Sequence, residues 1–519
     1  MKKLIPFFFV ALGAAAFIFK EGSQPALISS NAIRAHMRFL SSDLLQGRAT
    51  GSVGYDIAAQ YMISQFEKHG LKPAFGDTSF LQRVEIADYR MDYSGSALAV
   101  ISDQETKLLV NDEDYFIYSN GNIDDVSGEA GIAFAGYGLD YEKFGYEAYR
   151  GLDVKDKAVA VIWGEPDFID KDPQILFHEK IGKAYEMGAA GIIFILPSRF
   201  QDDMSWGRIK YFLGRGLELK KHFGDFFTVV LNPGVVASVT GYSADSLRMI
   251  ANKRNFKPFN LNRGLSYHIA AGRNETLTTG YNVAAMLPGS DPYLKNEFIV
   301  YTAHLDHVGT GVPVDGDSIF NGAYDNATGC AILLEVARAF SRAPQPPPRS
   351  ILFVALTGEE IGLFGSEYFV NYPPVPIRNI VANINIDMVL LEKPLDKVVA
   401  LGKEYADFEN IVEQSAAEVG VALVPDPMPE ERLFTRSDHY SFVRKGVPAL
   451  FIINDLSDSI NHAWFRQRYH SLKDEFNDSM HFEAAARHAQ LDYMIGDRIA
   501  RSGERPKWKK DSPYGAAGL

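Results

Sequence analysis

The sequence holds a single cysteine, Cys330, in 519 residues. A chain with one cysteine can form no internal disulfide, so its folded state depends on a hydrophobic core and on any bound metal. Cys330 lies in the apolar stretch ATGCAILLEVARAF. In such a helix pattern a buried, inert thiol is expected rather than a catalytic nucleophile.

Positive charge is also scarce. The chain has 52 Lys and Arg residues against 65 Asp and Glu residues, which gives a formal net charge of −13. Because nucleic-acid binding depends on clustered cations facing phosphates, nucleic acid is not expected as a main partner. The hydrophobic content of 46% is typical of a folded globular protein, and the length suggests two or three domains.

Apolar runs long enough to approach a membrane span occur only at the N-terminus. The stretch MKKLIPFFFVALGAAAFIFK begins with Lys2 and Lys3 and continues with an apolar run that includes small residues from Gly13 to Ala16. This pattern predicts a secretory signal peptide over residues 1–23 and a periplasmic or secreted protein. The alternative is an uncleaved membrane anchor, since the run is only slightly shorter than a spanning helix. With the signal cleaved, no stable membrane span is expected; the oligomeric state stays open.

The order of the predicted elements divides the rest of the chain. From Tyr281 onward, strand and helix patterns alternate. Such alternation implies an α/β fold with a mostly parallel central sheet and helices on both faces. The predicted division is a first part of this domain at 24–95, a β-rich α/β insert at 96–274, the remainder at 275–505 and a loose tail at 506–519.

Polar residues follow the predicted strands and fill the loops between them. They are His304, Asp306 and His307 in YTAHLDHVG, Asp325 in NGAYDNATG, Glu359 and Glu360 in LTGEE, Asp387 in NINIDMV, and Tyr469 and His470 in RQRYHSLKDEF. Taken singly, each has a structural explanation, such as a helix N-cap for an aspartate or a core position for a histidine. Open parallel sheets, however, hold their sites beyond the carboxyl ends of the strands, so His304, Asp325, one of the two glutamates, Asp387 and His470 are expected to converge. Period-two alternation sends His304 and Asp306 to one side of the strand and His307 to the other.

Convergence of so many carboxylates has a physical consequence. Crowded carboxylates repel one another and are costly to desolvate, and a bound cation removes that cost. Imidazole and carboxylate ligands without thiolate suit Zn²⁺, and five ligands with one shared carboxylate suit two ions ~3.5–4 Å apart. The residues therefore predict a metal site.

The ordered motifs AHLDHVG, GAYDNATG, TGEEIGLFGS, NIDMV and YHSLKD resemble the signature of the di-zinc aminopeptidases related to aminopeptidase Y and glutamate carboxypeptidase. The resemblance covers roughly residues 25–95 and 275–500 and implies a zinc exopeptidase-like fold. The stretches VKDKAVAVIWGEP and AYEMGAAGIIFI are similar to the protease-associated domain often inserted in this family. That second likeness rests on the pattern of strands and helices more than on residues with a chemical role.

Carried over motif by motif, the resemblance implies two Zn²⁺ ions. The implied ligands are His304 and Asp387 for one ion, Glu360 and His470 for the other, and Asp325 as the bridge. Glu359 would be the free carboxylate that takes a proton from the attacking water, because a base needs a vacant lone pair. Asp306 would hydrogen-bond the far nitrogen of His304. Tyr469 could donate a hydrogen bond to the developing oxyanion, with simple packing as the alternative.

The stretch LFTRSDHYSFVRKGVPALFI resembles the family's loop near the substrate side chain. The candidate pocket residues are Arg436, Asp438, His439, Tyr440 and Phe442. The alternative is that Tyr440 and Phe442 only pack beneath a core strand. A cation at Arg436 could instead bind an acidic side chain or a substrate carboxylate.

These features together predict an exported zinc-dependent exopeptidase, foremost an aminopeptidase acting on peptides. A carboxypeptidase would use the same two-zinc site and anchor a C-terminal carboxylate, for example through Arg436. A glutaminyl cyclase keeps most of the ligands and typically uses one zinc. A scaffold without catalysis would be expected to lack a ligand or the base, and none is missing here.

Overall fold

The structure is a computed structural model. It describes residues 28–76, 78–102, 105–118, 125–141, 144–168, 173–197, 206–213, 225–270, 272–314, 316–510 and 512–514. The predicted signal peptide at 1–23 lies outside these residues. Within the described ranges, no helix combines the length and the apolar character needed to cross a membrane.

The described part contains strands and helices throughout. The strands are β1 Lys72–Pro73, β2 Leu81–Asp92, β3 Ala97–Ile101, β4 Thr106–Leu109, β5 Tyr115–Ile117, β6 Val126–Phe134, β7 Ala158–Ile162, β8 Gly191–Ile195, β9 Phe227–Leu231, β10 Phe259–Ile269, β11 Gly272–Leu287, β12 Phe298–His304, β13 Gly309–Val314, β14 Asp317–Phe320, β15 Ser350–Leu356, β16 Ile380–Asn385, β17 Lys397–Leu401, β18 Ala422–Leu423 and β19 Ala449–Asn454. The helices are α1 Ser30–Leu40, α2 Val53–Lys68, α3 Pro173–Glu186, α4 Trp206–Leu213, α5 Val236–Thr240, α6 Ala244–Ala251, α7 Gly329–Ser341, α8 Phe364–Asn371, α9 Glu409–Val419, α10 His439–Val443, α11 Ser459–Arg468 and α12 Phe482–Arg501.

The larger sheet has nine strands in the order β1-β11-β15-β12-β16-β19-β17-β18, with β2 also paired to β11. Its four central strands, β15, β12, β16 and β19, run parallel. The neighbours on either side, β11 and β17, join this block in antiparallel pairs. The α/β fold class predicted from the sequence is confirmed, but the parallel arrangement is concentrated at the centre of the sheet.

Helices cover both faces of this sheet, which explains why its central strands are apolar at nearly every position. Along β12, Ile299 and Tyr301 belong to the hydrophobic cluster that includes α1, α2, α7 and α12. The alternating Val300 belongs to a second cluster, formed with Phe369 of α8 and Phe442 of α10. Period-two alternation therefore directs successive side chains of one strand into two cores.

The path of the chain opens a crevice beside β12. From β12 the chain passes through α7 to β15 on one side, and then through α8 to β16 on the other side of β12. Such a reversal leaves a gap between the connections at the carboxyl ends of the strands, where α/β proteins hold their sites. The predicted site residues follow these same strand ends.

A second sheet has eight strands in the order β4-β3-β10-β6-β7-β8-β9-β5. Its strands from β6 to β9 run parallel, and the sheet has its own hydrophobic cluster. The chain enters this region along β2 and leaves it along β11, which pair in register from Leu81 opposite Val283 to Asp92 opposite Gly272. The protease-associated character of the insert stays a prediction.

The described residues of the C-terminal segment, 506–510 and 512–514, differ from the loose tail that was expected. The indole Nε1 of Trp508 donates a hydrogen bond to the carbonyl of Gly446 at 2.8 Å. The ring of Tyr514 lies 5.0 Å from that of Tyr405. These two aromatic side chains fix the segment to the main domain, although its composition of Lys, Pro and Gly is typical of an exposed end.

Arg48 joins the N-terminal helices to the edge of the sheet that carries the predicted site. Its side chain is fully buried and donates to the carbonyls of Leu305 at 2.9 Å, Asn321 at 2.7 Å and Gly322 at 3.0 Å. It also donates to the carbonyl of Leu40. One guanidinium thus holds together the segments that follow β12 and precede α7.

We expect Arg48→Met to destabilise the fold strongly. Methionine removes the guanidinium donor from all four carbonyls, of which only that of Gly322 keeps a second donor among the described residues, the N–H of Ala327 at 3.1 Å. At ~1 kcal/mol or more for each of the other three carbonyls, the loss should reach roughly 3 kcal/mol. Chemical denaturation of the purified variant measures it. The control is Arg34→Met, whose side chain is 41% exposed and pairs with Asp478, and for which the change should stay below ~1 kcal/mol. Equal losses in the two variants would contradict the role of Arg48 in holding these segments together.

Candidate metal centre

His304 ends β12 and points one ring nitrogen into the crevice. Its Nε2 lies 3.1 Å from Oδ1 of Asp387 and 3.2 Å from Oδ1 of Asp325. Its Nδ1 lies 3.1 Å from the main-chain carbonyl of Asp306. Because Nδ1–H donates to that carbonyl, Nε2 is the nitrogen left to bind a metal.

His470 forms a matching cluster from the other side. It follows α11, and its Nε2 lies 2.9 Å from Oδ2 of Asp325 and 3.1 Å from Oε2 of Glu360. The backbone of His470 is left-handed, with a φ of 50°. Met388, directly after Asp387, has a φ of 49°. Non-glycine residues in this region are strained, and such strain is concentrated at functional sites.

Asp325 lies between the two imidazoles and offers each of them one oxygen. It sits in the segment Ala323–Thr328, just before α7, where its own backbone departs from helical geometry with φ −112° and ψ 91°. The carboxylate of Asp474 accepts the backbone N–H groups of Tyr324 at 2.8 Å and Asp325 at 3.1 Å. Asp474 therefore fixes the backbone of this segment, and the side chain of Asp325 is directed between His304 and His470.

The arrangement fits two tetrahedral metal ions. Bonds of ~2.0–2.1 Å in a tetrahedron place neighbouring ligand atoms about 3.3 Å apart. The nitrogen–oxygen distances about His304 and His470 are 2.9–3.2 Å. The side chains of the five residues predicted as ligands are at most 8% exposed. The structure brings together the five residues His304, Asp325, Glu360, Asp387 and His470.

Two further residues contact the outer oxygens of the terminal carboxylates. Ser437 Oγ donates to Oδ2 of Asp387 at 2.7 Å. His307 Nδ1 lies 2.6 Å from Oε1 of Glu360. Sequence reasoning gave neither residue a role, although both lie inside motifs that it singled out, namely YTAHLDHVG and LFTRSDHYSFVRKGVPALFI.

Asp306 lies beside His304, as expected, but it contacts the ring through its main-chain carbonyl and not through its carboxylate. Its carboxylate accepts the backbone N–H groups of Glu359 at 3.2 Å and Glu360 at 3.3 Å. Its Oδ1 is 4.0 Å from Nδ1 of His304, too far for a hydrogen bond, and its carbonyl makes that contact instead. The carboxylate therefore positions the adjacent glutamates rather than the ring of His304.

The charges in the crevice are strongly coupled. Burial raises the pKa of Asp306 to about 6. Burial and the carboxylates of Asp387, Glu360 and Asp438 raise the pKa of Glu359 well above its usual range, against the effect of His304. For His470, burial is outweighed by Glu360 and Asp325, which raise its pKa to about 9. In the absence of metal, protons on the histidines are thus the counter-charges of the carboxylates.

Glu359 differs from its neighbour in having no partner for its side chain. Among the residues that the structure describes, none donates a hydrogen bond to its carboxylate, whereas Glu360 contacts both His307 and His470. Tyr469, the other candidate catalytic residue, is fixed by stacking on Phe465 at 5.0 Å and by contact with the ring of His470 at 4.0 Å.

Only part of the predicted pocket is available to a ligand. Arg436 is half-exposed and pairs with Glu431 at 3.0 Å, and Tyr440 is partly exposed. Phe442 does not line a pocket as the sequence suggested. It is fully buried in the core beneath the sheet, with its ring 5.9 Å from that of Phe369.

The remaining two pocket candidates are also buried. His439 is fully buried, and its Nε2 bonds the carbonyl of Phe434 at 2.6 Å. Asp438 is fully buried beside it. His439 and Phe442 are thus core residues, and the short helix α10 turns them away from the crevice.

A protein-family model matches part of the chain. Residues 282–494 match the model of peptidase family M28. Leupeptin-inactivating enzyme 1 from Streptomyces exfoliatus is 33% identical over 187 residues, which cover 34% of this chain and 38% of that protein. Aminopeptidase YwaD from Bacillus subtilis is 35% identical over 98 residues, 18% of this chain and 19% of that protein. The matches thus span less than half the length of these relatives.

Solved structures share the fold over most of the chain. An aminopeptidase from Aneurinibacillus sp. strain AM-1 superposes with a TM-score of 0.59 and 18% identity, covering 92% of this chain and 95% of that one. The zinc aminopeptidase BSAP from Bacillus subtilis gives a TM-score of 0.52 at 17% identity, covering 91% and 95%. At these identities the likeness establishes the fold alone.

We expect Zn²⁺ binding to the metal-free protein to release protons near pH 7. A ligand nitrogen must be unprotonated, whereas Glu360 and Asp325 outweigh burial and hold the pKa of His470 at about 9. Titration calorimetry in two buffers of different ionisation enthalpy measures the release, which should fade as the pH approaches 9. Identical heats in both buffers at pH 7 would contradict it.

The same raised pKa fixes the sign of a stability effect. Protonated His470 stabilises the metal-free fold fully below its ordinary pKa of 6.5, and this contribution is lost as the pH rises through about 9. Zinc affinity should change in the opposite direction and increase over that range.

Proposed function

Since residues 282–494 match the model of peptidase family M28, we propose that the protein is a member of this family and an exported zinc-dependent exopeptidase that removes residues from the N-termini of peptides. The observation that carries this proposal is Asp325, whose Oδ1 and Oδ2 lie 3.2 and 2.9 Å from the Nε2 atoms of His304 and His470. A carboxylate shared between two imidazoles is the geometry of a bridging ligand.

Two Zn²⁺ ions are the proposed cofactors, with His304 and Asp387 holding one, Glu360 and His470 the other, and Asp325 both. When bound, the ions would polarise the scissile carbonyl and make water a nucleophile at neutral pH. The imidazole and carboxylate donors, buried and without thiolate, are suited to this metal.

Glu359 is the proposed general base. Its main-chain N–H is fixed by Asp306 at 3.2 Å, while its carboxylate has no hydrogen-bond donor among the described residues. Adjacent side chains diverge, so Glu360 can bind metal while Glu359 stays free. Glu359 takes a proton from the attacking water and returns it to the leaving amine. Tyr469, with its ring fixed on Phe465, is the proposed donor to the oxyanion.

The acidic crevice supports recognition of a free amine. A substrate α-ammonium group placed beside the terminal carboxylates Glu360 and Asp387 is attracted by them, whereas a C-terminal carboxylate is repelled. The cation that a carboxypeptidase could use, Arg436, is already paired with Glu431 at 3.0 Å. We therefore place the aminopeptidase ahead of the carboxypeptidase.

A single peptide in two forms tests the proposal. The zinc-loaded protein is incubated with the free peptide and with the same peptide acetylated at its N-terminus, and products are followed by mass spectrometry. Stepwise loss of residues from the free form only is expected. Trimming of both forms from the C-terminus would mean a carboxypeptidase. Loss of ammonia or water from a peptide beginning with Gln or Glu would mean a glutaminyl cyclase.

We expect Glu359→Gln to keep both metal ions and to lower kcat by ~10²–10⁴-fold, because glutamine has a similar shape but cannot accept the proton. Metal content is measured alongside turnover. The matched control is Glu367→Gln, a half-exposed glutamate of α8 that lies 3.8 Å from Arg444 and should leave kcat unchanged. Full turnover in a metal-replete Glu359 variant would remove this residue from the role.

A further inference from the structure

His307 is a buried histidine at the centre that neither the ligand set nor the chemistry proposed above uses. Its side chain has no exposed surface. The Nδ1 atom lies 2.6 Å from Oε1 of Glu360. Among the described residues, the other ring nitrogen, Nε2, has no hydrogen-bond partner. The contact with Glu360 is therefore the polar interaction that this ring makes.

The ring of His307 is held in one position by the backbone around it. Gly322 packs directly against the ring, and a Cβ atom at that glycine would lie 2.6 Å from the ring carbons. The left-handed φ of 60° at Gly322 also favours glycine there. On the other side, the main-chain N–H of His307 donates to the carbonyl of Arg48 at 3.3 Å. Nδ1 is thus a fixed donor rather than a mobile one.

The two oxygens of Glu360 have different surroundings. Oε2 lies 3.1 Å from Nε2 of His470, which in turn lies 2.9 Å from Oδ2 of Asp325. Oε2 therefore faces the position at which Glu360 and His470 would bind the same metal ion. Oε1 points away from that position, toward Nδ1 of His307.

His307 could itself be considered a ligand, because His307, Asp325 and Glu360 lie close enough together to hold an ion. The distances favour a hydrogen bond instead. Ligand atoms of one tetrahedral ion lie about 3.3 Å apart, whereas Nδ1 is 2.6 Å from Oε1 of Glu360 and 4.0 Å from Oδ2 of Asp325. The first distance is that of a strong hydrogen bond to a carboxylate.

We propose that His307 is a positioning residue, which binds Oε1 of Glu360 and so restricts this carboxylate to a single metal-binding oxygen, Oε2. A carboxylate without such a donor can rotate and bind an ion through both oxygens or reach the neighbouring ion. The hydrogen bond prevents this and keeps a coordination position open for substrate. The inference rests on the proposed two-metal function.

The opposite terminal carboxylate shows the same arrangement. Oδ1 of Asp387 faces Nε2 of His304 at 3.1 Å, while Oδ2 accepts a hydrogen bond from Ser437 at 2.7 Å. Asp325, the proposed bridge, presents both of its oxygens to imidazoles. Donors from the protein thus occupy one oxygen on each carboxylate that should bind one ion.

Three variants at position 307 test the inference. His307→Leu removes the donor and keeps an apolar side chain. His307→Asn places an amide N–H close to the position of Nδ1. His307→Gln reaches the position of Nε2 and replaces the leucine variant if that protein does not fold. Stepwise zinc affinities are measured by competition with a chelator, and the visible spectrum of the cobalt-substituted protein reports the coordination number.

We expect His307→Leu and His307→Gln to weaken binding of one ion by about 10- to 100-fold and to leave the other unchanged. The cobalt absorption should weaken as the coordination number rises. His307→Asn should restore most of the affinity and the spectrum. The matched control is His488→Leu, which removes another buried histidine bonded to a carboxylate, that of Asp492 at 2.9 Å, and should change neither affinity.

Unchanged affinities and spectra in the leucine and glutamine variants would overturn the positioning role. If His307→Asn loses the ion as completely as His307→Leu, His307 is a ligand and the inference is wrong. A wild-type protein that binds a single ion would instead remove the proposed two-metal function, an outcome that is distinct because it needs no substitution at position 307.

Discussion

The repulsion among buried carboxylates is the constraint on which this structure depends. Asp325, Glu360 and Asp387 bring their charges into one crevice with at most 8% of any side chain exposed. Carboxylates in such a place require positive charge at short range. Histidines supply it in the metal-free protein, and metal ions would supply it in the working one. The parallel strands at the centre of the sheet make the crowding possible, because their carboxyl ends meet at the reversal beside β12.

Much of the fold and most of the centre follow from the sequence alone. Continuous apolar runs indicated buried strands, and polar residues at their ends, such as His304 and Asp387, marked the edge where a site forms. The direction of the outer strands could not be read, since a buried run is equally apolar in parallel and antiparallel pairs. The mixed character of the sheet therefore became visible only in the structure.

Other features depend on neighbours that are distant in the chain. His307 and Ser437 stood inside recognised motifs, but which oxygen each contacts is set by the packing of separate loops. Phe442 was expected to line a pocket, yet the turn of α10 buries it. Arg48 carried no signal, because a guanidinium bonded only to main-chain carbonyls leaves no partner residue to identify. Trp508 and Tyr514 likewise fix a segment whose composition indicated a loose end.

The distribution of these contacts along the chain governs when the centre can form. Arg48 lies near the beginning of the chain, His304 in the middle and His470 close to the end. The residues bound by Arg48 and the proposed ligands come together only in the folded molecule. A chain emerging from the ribosome therefore could not hold the two proposed ions until nearly all of it had been synthesised. Capture of the proposed metal ions would belong to the last stage of folding, and a chain truncated before His470 would lack the residue that completes the second cluster. The ions would thus mark the molecules in which the entire chain has assembled.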